Sequence, residues 1–301
     1  MKFLITGATG YIGHHLSEHL LEQQADVHAL VRPSSDISRL EQIGLPIKIH
    51  PVATDGLGDM APLLKVMAEV QPDCIFHLAS DWGGAADTAF SDIIQSNIIM
   101  TAALLEAAST LGTSRFVNVG SYWQFNEQGA VAPNGLYAAS KQAAHDLMSH
   151  YVLNRGLKAA TVILYDVYGP GDWRKKLTHI LFQSLQVPQQ TTRGEQLLDM
   201  LFIDDAIAAL VDTAAWLKED FSISETVPLF FAGTGKLSSL RTIAGIFGRT
   251  AGADVMLEWG AIPYRDGQIF HPCPPNPTVP GWQPKVPLEA GLQRVLQASL
   301  N

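Results

Sequence analysis

The stretch "YAASK" sets Tyr137 and Lys141 four residues apart, which on a helix places a phenol and an ammonium on one face, one turn apart. A tyrosine that titrates near 10 is a poor acid-base group at neutral pH. A neighbouring cation changes that: at about 4 Å and an effective dielectric of about 20, an ammonium favours the phenolate by roughly 4 kcal/mol, which puts two or three pKa units within reach. Ser121 lies sixteen residues earlier, after the apolar run "RFVNVG", where its hydroxyl can hydrogen-bond a reacting oxygen. Together, Ser121, Tyr137 and Lys141 make a proton-transfer set for interconverting a carbonyl and an alcohol. Each also has a plainer explanation, since YxxxK arises by chance on many helices and a serine after a strand often caps the next element.

Such chemistry needs a hydride carrier, and the N-terminus "MKFLITGATGYIG" offers a place for one. Phe3, Leu4 and Ile5 read as a buried strand, and Ile12, Leu16, Leu20 and Leu21 recur at helical spacing. Gly7, Gly10 and Gly13 fall at the handover, where they permit a tight turn, close approach of a pyrophosphate, and helix-sheet packing. The open N–H groups at the helix start, at Tyr11 and Ile12, favour the anion. The end of the second strand separates the coenzymes, because an acid there accepts the adenosine ribose hydroxyls and an arginine accommodates a 2′-phosphate. It reads "ALVRPSS", with Arg32 in the acid's place, so NADP(H) is preferred over NAD(H).

The elements that must position these groups alternate. "KFLIT", "DVHALV", "PIKIHPV", "DCIFHLA", "SRFVNVG" and "AATVIL" read as strands, with helices near 11–24, 35–43, 59–70, 87–109 and 136–155. That order predicts an α/β fold, a Rossmann doubly wound parallel sheet, with ligands beyond the carboxyl ends of the strands. The glycine turn, Ala79 to Trp82, and Gly120 to Trp123 all fall there. Ala79 is assigned to the cofactor, and Asp81 and Trp123 to the substrate. After Leu164 the rhythm breaks into "YDVYGPGDW", helices near 175–186 and 204–218, and a proline-rich stretch. Residues 1–165 are therefore read as the dinucleotide-binding Rossmann domain, and 166–301 as a smaller C-terminal substrate lobe, partly interleaved with it.

Composition narrows the partners. The 301 residues are 47% hydrophobic and 16% charged, with a net charge of -9 and no basic block beyond "RKK" at 174–176, which opposes nucleic acid as a partner. No apolar run approaches the roughly 18 residues of a membrane span, and the expected location is cytoplasmic. Two cysteines and ten histidines show no metal-ligand spacing, so no metal is expected and His77 reads as a satisfied core residue.

The motifs "TGATGYIG", "FHLAS", "NIIMTAALLEAA", "GSYWQF", "YAASK", "VYGPGD" and "LLDMLFIDDAIAAL" resemble the successive signatures of extended short-chain dehydrogenase/reductases, the nucleotide-sugar epimerase/dehydratase family, over nearly the whole chain. The resemblance implies that Gly7, Gly10 and Gly13 hold the cofactor, Asp55 meets the adenine, and Asn97 supports the active-site backbone. It also implies that Ser121, Tyr137 and Lys141 are catalytic, with Lys141 holding the nicotinamide ribose as well. Where the family's 4,6-dehydratases carry Asp and Glu after the catalytic Ser/Thr, this chain has Tyr122 and Trp123, which disfavours elimination of water. The usual arginines are Leu164 and Leu198, and Asp166 replaces an asparagine, so Arg174, Lys175 or Lys176, and Arg265 are the substitute phosphate contacts. A narrower resemblance, carried by "GSYWQF", "LYDVYGPGDWRKKL" and "GEQLLDMLFIDD", is to the CDP-abequose and CDP-paratose synthase group of deoxysugar-nucleotide 4-ketoreductases.

The expected activity is NADPH-dependent reduction of the C4 keto group of a nucleotide-linked 4-keto-6-deoxysugar. Two alternatives stand beside it: an NAD-dependent 4-epimerase, marked by tightly retained NAD and no net absorbance change, and a non-catalytic NADP-sensing protein, marked by cofactor binding without turnover. The apolar faces of helices 87–109 and 136–155 suggest a homodimer, although buried helices of a monomer give the same pattern.

Overall fold

Side-chain alternation along the strands decides the architecture. In β1 (Lys2–Thr6), Phe3 and Ile5 are buried against one layer and Leu4 against another. A strand buried on both faces needs helices on both. The computed structural model describes residues 1–53, 59–83, 89–113, 115–219 and 226–299.

After β1 come α1 (Tyr11–Glu22), β2 (Asp26–Val31), α2 (Ser38–Gln42), β3 (Lys48–Pro51), α3 (Ala61–Val70) and β4 (Cys74–His77). Then follow α4 (Phe90–Ile94), α5 (Met100–Leu111), β5 (Arg115–Ser121), α6 (Leu136–Arg155) and β6 (Lys158–Leu164). The second half supplies β7 (Asp166–Tyr168), α7 (Leu177–Gln183), β8 (Gln189–Thr191), β9 (Leu197–Phe202), α8 (Ile203–Trp216) and β10 (Leu229–Ala232). It ends with β11 (Leu237–Ser239), α9 (Leu240–Ala251), β12 (Leu257–Trp259) and α10 (Leu288–Ala298).

Seven parallel strands make one sheet in the order β10-β6-β5-β4-β1-β2-β3, which contains all six strands read from the sequence. The order reverses between β1 and β4, so a crevice opens there beyond the strand ends. On one face, α1 and α8 bury Leu16, Leu20, Ile207 and Leu210 against Ile5, Phe76 and Val117. On the other, Leu63, Leu104 and Met148 from α3, α5 and α6 cover Leu4, Ile75 and Phe116.

Part of the chain beyond residue 165 returns to the first-half sheet. Helix α8 returns to cover the main sheet, where Arg115 donates to the Ala214 carbonyl at 3.0 Å, and β10 pairs with β6 as the edge strand. The remaining second-half strands form a three-stranded sheet, β11-β9-β7, and a β12-β8 pair. Among the described residues, no helix is long and apolar enough to cross a membrane, and no three His, Cys, Asp or Glu side chains gather as metal ligands would.

Candidate active site

The turn from β1 into α1 closes only without side chains. Gly7 has φ +73°, and a Cβ there would stand 2.6 Å from the Ala79 nitrogen at the end of β4. A Cβ on Gly13 would press on the Gly7 carbonyl and lie 2.8 Å from Ala8 Cα. Gly10 caps α1 with no side-chain hydrogen bond, so the N–H groups of the first turn are left open at the positive end of the helix. A bare, positive concavity of this kind fits a dinucleotide pyrophosphate.

Gly7, Gly10, Tyr11, Ile12 and Gly13 line a cleft of about 560 Å³ that is also lined by Ser121, Tyr137 and Lys141. Three segments far apart in sequence thus meet in one crevice because their strands end side by side. Ser121 closes β5, its N–H donating to Gln124 Oε1 at 2.8 Å. Its hydroxyl caps the following turn, accepting from the Trp123 N–H at 3.3 Å, and keeps its own proton for a ligand oxygen. Lys141 is buried, and its Nζ donates to the Val119 carbonyl at 2.9 Å and lies 6.0 Å from the centre of the Tyr137 ring.

The expected depression of Tyr137 does not occur in the free protein. Burial pushes the phenol up to about 12, opposed only by hydrogen bonding from Ser80, and burial draws Lys141 down to about 8. The helical spacing is as read, but the ammonium bonds a backbone carbonyl, and desolvation outweighs its influence on the phenol.

Asn97 was tied to the backbone by resemblance, and its environment supplies the physical reason. It sits in a π-helical turn, Gln95–Ile99, between α4 and α5, where the sequence suggested one unbroken helix. From there the buried amide grips both sides of Asp81, accepting from its N–H and donating to its C=O at 2.7 Å each, and it donates to Ser140 Oγ at 2.9 Å. Because Ser140 lies on α6 beside Tyr137, this amide ties the loop after β4 to the helix bearing the phenol and the ammonium.

The substrate candidates separate. Trp123, Asp166, Arg174 and Lys176 line the cleft. Arg174, however, is already held by Asp172, at 2.7 and 2.8 Å, and by the Val167 carbonyl, while lying 4.4 Å over the Tyr11 ring. Arg265 stacks 3.9 Å over Trp123, whose ring stands perpendicular to Tyr137 at 5.9 Å between ring centres. The Asp81 carboxylate turns back to the Gly83 N–H, and Ala79 donates to Thr6 Oγ1. Arg32 is exposed in the turn after β2, and Asp55 lies outside the described residues. Both ring nitrogens of buried His77 meet hydroxyls, of Thr6 and Thr101, which makes it a satisfied core histidine.

Ser80, Asp172 and the bond made by Tyr122 are not read from the sequence. Ser80, inside the quoted "FHLAS", touches Tyr137; Tyr122 donates from its hydroxyl to Asp166 at 3.0 Å; Asp172 neutralises Arg174. The last two pairings depend on loop geometry that leaves no periodic trace.

Known proteins share the sequence pattern and the fold. A family model described as the NAD dependent epimerase/dehydratase family matches residues 3–223. The sequence is 26% identical over 304 residues to the CDP-abequose synthase of Salmonella typhimurium, covering 98% of this chain and 97% of that one. It is 27% identical over 328 residues to the UDP-glucose 4-epimerase of Mycolicibacterium smegmatis, covering 100% and 99%. Among solved structures, a UDP-glucose-4-epimerase from Stenotrophomonas maltophila with bound NAD shares the fold at TM-score 0.85 and 20% identity, over 100% of this chain and 98% of that one.

Proposed function

Since the chain belongs to the NAD dependent epimerase/dehydratase family, whose named relatives here are NAD(P)-dependent enzymes of the oxidoreductase type, we propose that it is a nucleotide-sugar 4-ketoreductase using NADPH. The observation that carries this reading is the meeting of Ser121, Tyr137 and Lys141 with the glycine turn in one cleft, where the residues following Ser121 are Tyr122 and Trp123 and not carboxylates. When bound, the cofactor supplies the hydride. Tyr137 gives the proton to the developing alkoxide, Ser121 holds the same oxygen, and Lys141 keeps a positive charge beneath the phenol. A phenol pushed up to about 12 is a proton donor at neutral pH, as the reduction of a ketone requires.

The test is direct. Incubation with 4-keto-6-deoxysugar nucleotides should consume NADPH one for one with product. A 4-epimerase would use the same three residues, and full-length similarity to a UDP-glucose 4-epimerase keeps that reading in view. Protein isolated with retained NAD, and turnover without net absorbance change, would replace reduction by epimerisation.

Coenzyme choice is assigned to Arg32, exposed after β2 where a 2′-phosphate would be met. Arg32→Asp is expected to move the ratio of kcat/KM for NADPH over NADH by about 100-fold towards NADH, as a lost charge-assisted phosphate contact would. An unchanged ratio would remove Arg32 from the assignment.

A further inference from the structure

Two carboxyls outside the proton-transfer set line the cleft: Asp172 is held by Arg174, and Asp166 is not bound to a cation by a direct hydrogen bond among the described residues. Asp166 begins β7, two residues after Leu164, and Leu164 is the register partner of Ser121 across the β5-β6 pair. The carboxyl therefore lies just past the end of β6, beside the strand that presents the catalytic serine, in the same cleft. Its Oδ2 accepts the Tyr122 hydroxyl at 3.0 Å, and the Tyr122 ring stacks flat on Tyr165, 5.1 Å between centres and 2° between planes. Tyr165 is anchored in turn by donating to the Cys273 carbonyl at 2.6 Å. The side chain that orients the carboxyl is thus itself fixed.

The two residues after Ser121 make surfaces of different character. Tyr122 ends in the phenol-carboxyl pair, whereas Trp123 presents an indole, perpendicular to the Tyr137 ring and with Arg265 on its face. A 4-keto-6-deoxyhexose also has two characters around C4, with ring hydroxyls on the C2–C3 side and a methyl group beyond C5. Matching like to like places the methyl group against the indole and a hydroxyl against the carboxyl. A carboxylate accepts hydrogen bonds and offers none, so it selects a donor and repels a phosphate oxygen.

We propose that Asp166, positioned by Tyr122, is a specificity residue that accepts a hydrogen bond from a hydroxyl on the C2–C3 side of the substrate sugar. The assignment rests on the nucleotide-sugar reading above. The groups facing the carboxyl are Tyr122, Lys176, Asp199 and Arg265; burial raises it to about 6 in spite of the two cations. Below that pH the carboxyl is protonated and loses its charge as an acceptor, so sugar binding should weaken on acidification.

Titration calorimetry with CDP-6-deoxyglucose and with its 2-deoxy and 3-deoxy analogues tests this without turnover. The unaltered protein should bind one of the deoxy analogues about 10- to 100-fold more weakly than the parent, as loss of a hydrogen bond to a charged group does. In Asp166→Ala that difference should shrink to about threefold or less. Asp166→Asn, which keeps the shape if the alanine variant misfolds, should bind with the same affinity from pH 5 to 7.5, while the unaltered protein weakens as pH falls through about 6. Equal binding of all three sugars by the unaltered protein, or a preference that persists in Asp166→Ala, would overturn the assignment and leave ketone reduction standing. Failure to bind any nucleotide sugar would instead remove the functional reading, and this inference with it.

Discussion

Replacing Tyr137 by phenylalanine should lower kcat for ketone reduction by about a thousandfold, the middle of the range for loss of a positioned general acid. Cofactor affinity should hardly change, because the ring and its contacts with Trp123 remain and only the hydroxyl is lost. The fold should also persist, since that hydroxyl bonds Ser80, in an exposed position at the cleft, and holds no core element together. Single-turnover hydride transfer, followed by NADPH absorbance, separates this outcome from a binding defect. Turnover within about tenfold of the unaltered protein would show that another group donates the proton.

The pH dependence follows from the same site. With Tyr137 up to about 12, the donor stays protonated through the neutral range. Lys141, drawn down to about 8, is charged below that pH and neutral above it. The alkaline fall in reduction is therefore expected near 8 and belongs to the ammonium, not the phenol. Lys141→Arg, which stays charged, should shift that fall upward while disturbing the bond to Val119.

A second large effect is expected at Gly13. A methyl group there meets the backbone of Gly7 and Ala8, atoms that cannot swing aside as a flexible side chain would. Gly13→Ala should destabilise the fold by about 1–3 kcal/mol, as overpacking does, because α1 must move off β1. The same movement widens the turn and misaims the open N–H groups, so the dissociation constant for NADPH should rise about 100-fold or more. Urea unfolding measures the first effect and quenching of protein fluorescence by the cofactor the second. Unaltered cofactor affinity in a folded Gly13→Ala protein would mean that the anion binds elsewhere.

What could be read in advance divides along a physical line. The six strands, the glycine turn and the Tyr137/Lys141 spacing are local: each is carried by periodicity or by a few consecutive residues, and each appears in the structure where the sequence placed it. Strand β10 escaped because "LFFA" follows the break in the strand-helix alternation, and its place is fixed by pairing with β6, 65 or more positions earlier. The π-helical turn at Asn97 leaves no compositional mark, because one extra residue in a turn shifts phase without changing residue type. The pKa of Tyr137 was misread for a similar reason. Spacing fixes which face a group occupies, but not how far water is excluded from it or which carbonyl its neighbour prefers.

The return of α8 and β10 to the first-half sheet bears on how such a protein can be altered. A fragment ending near residue 165 would leave Val162 and Leu164 along an uncovered edge and remove α8 from the layer it shares with α1 over Ile5 and Phe76, so the halves are not interchangeable cassettes. New substrate preferences must come instead by exchanging loops at the strand tips, within a frame whose two ends were braided together before any ligand arrives.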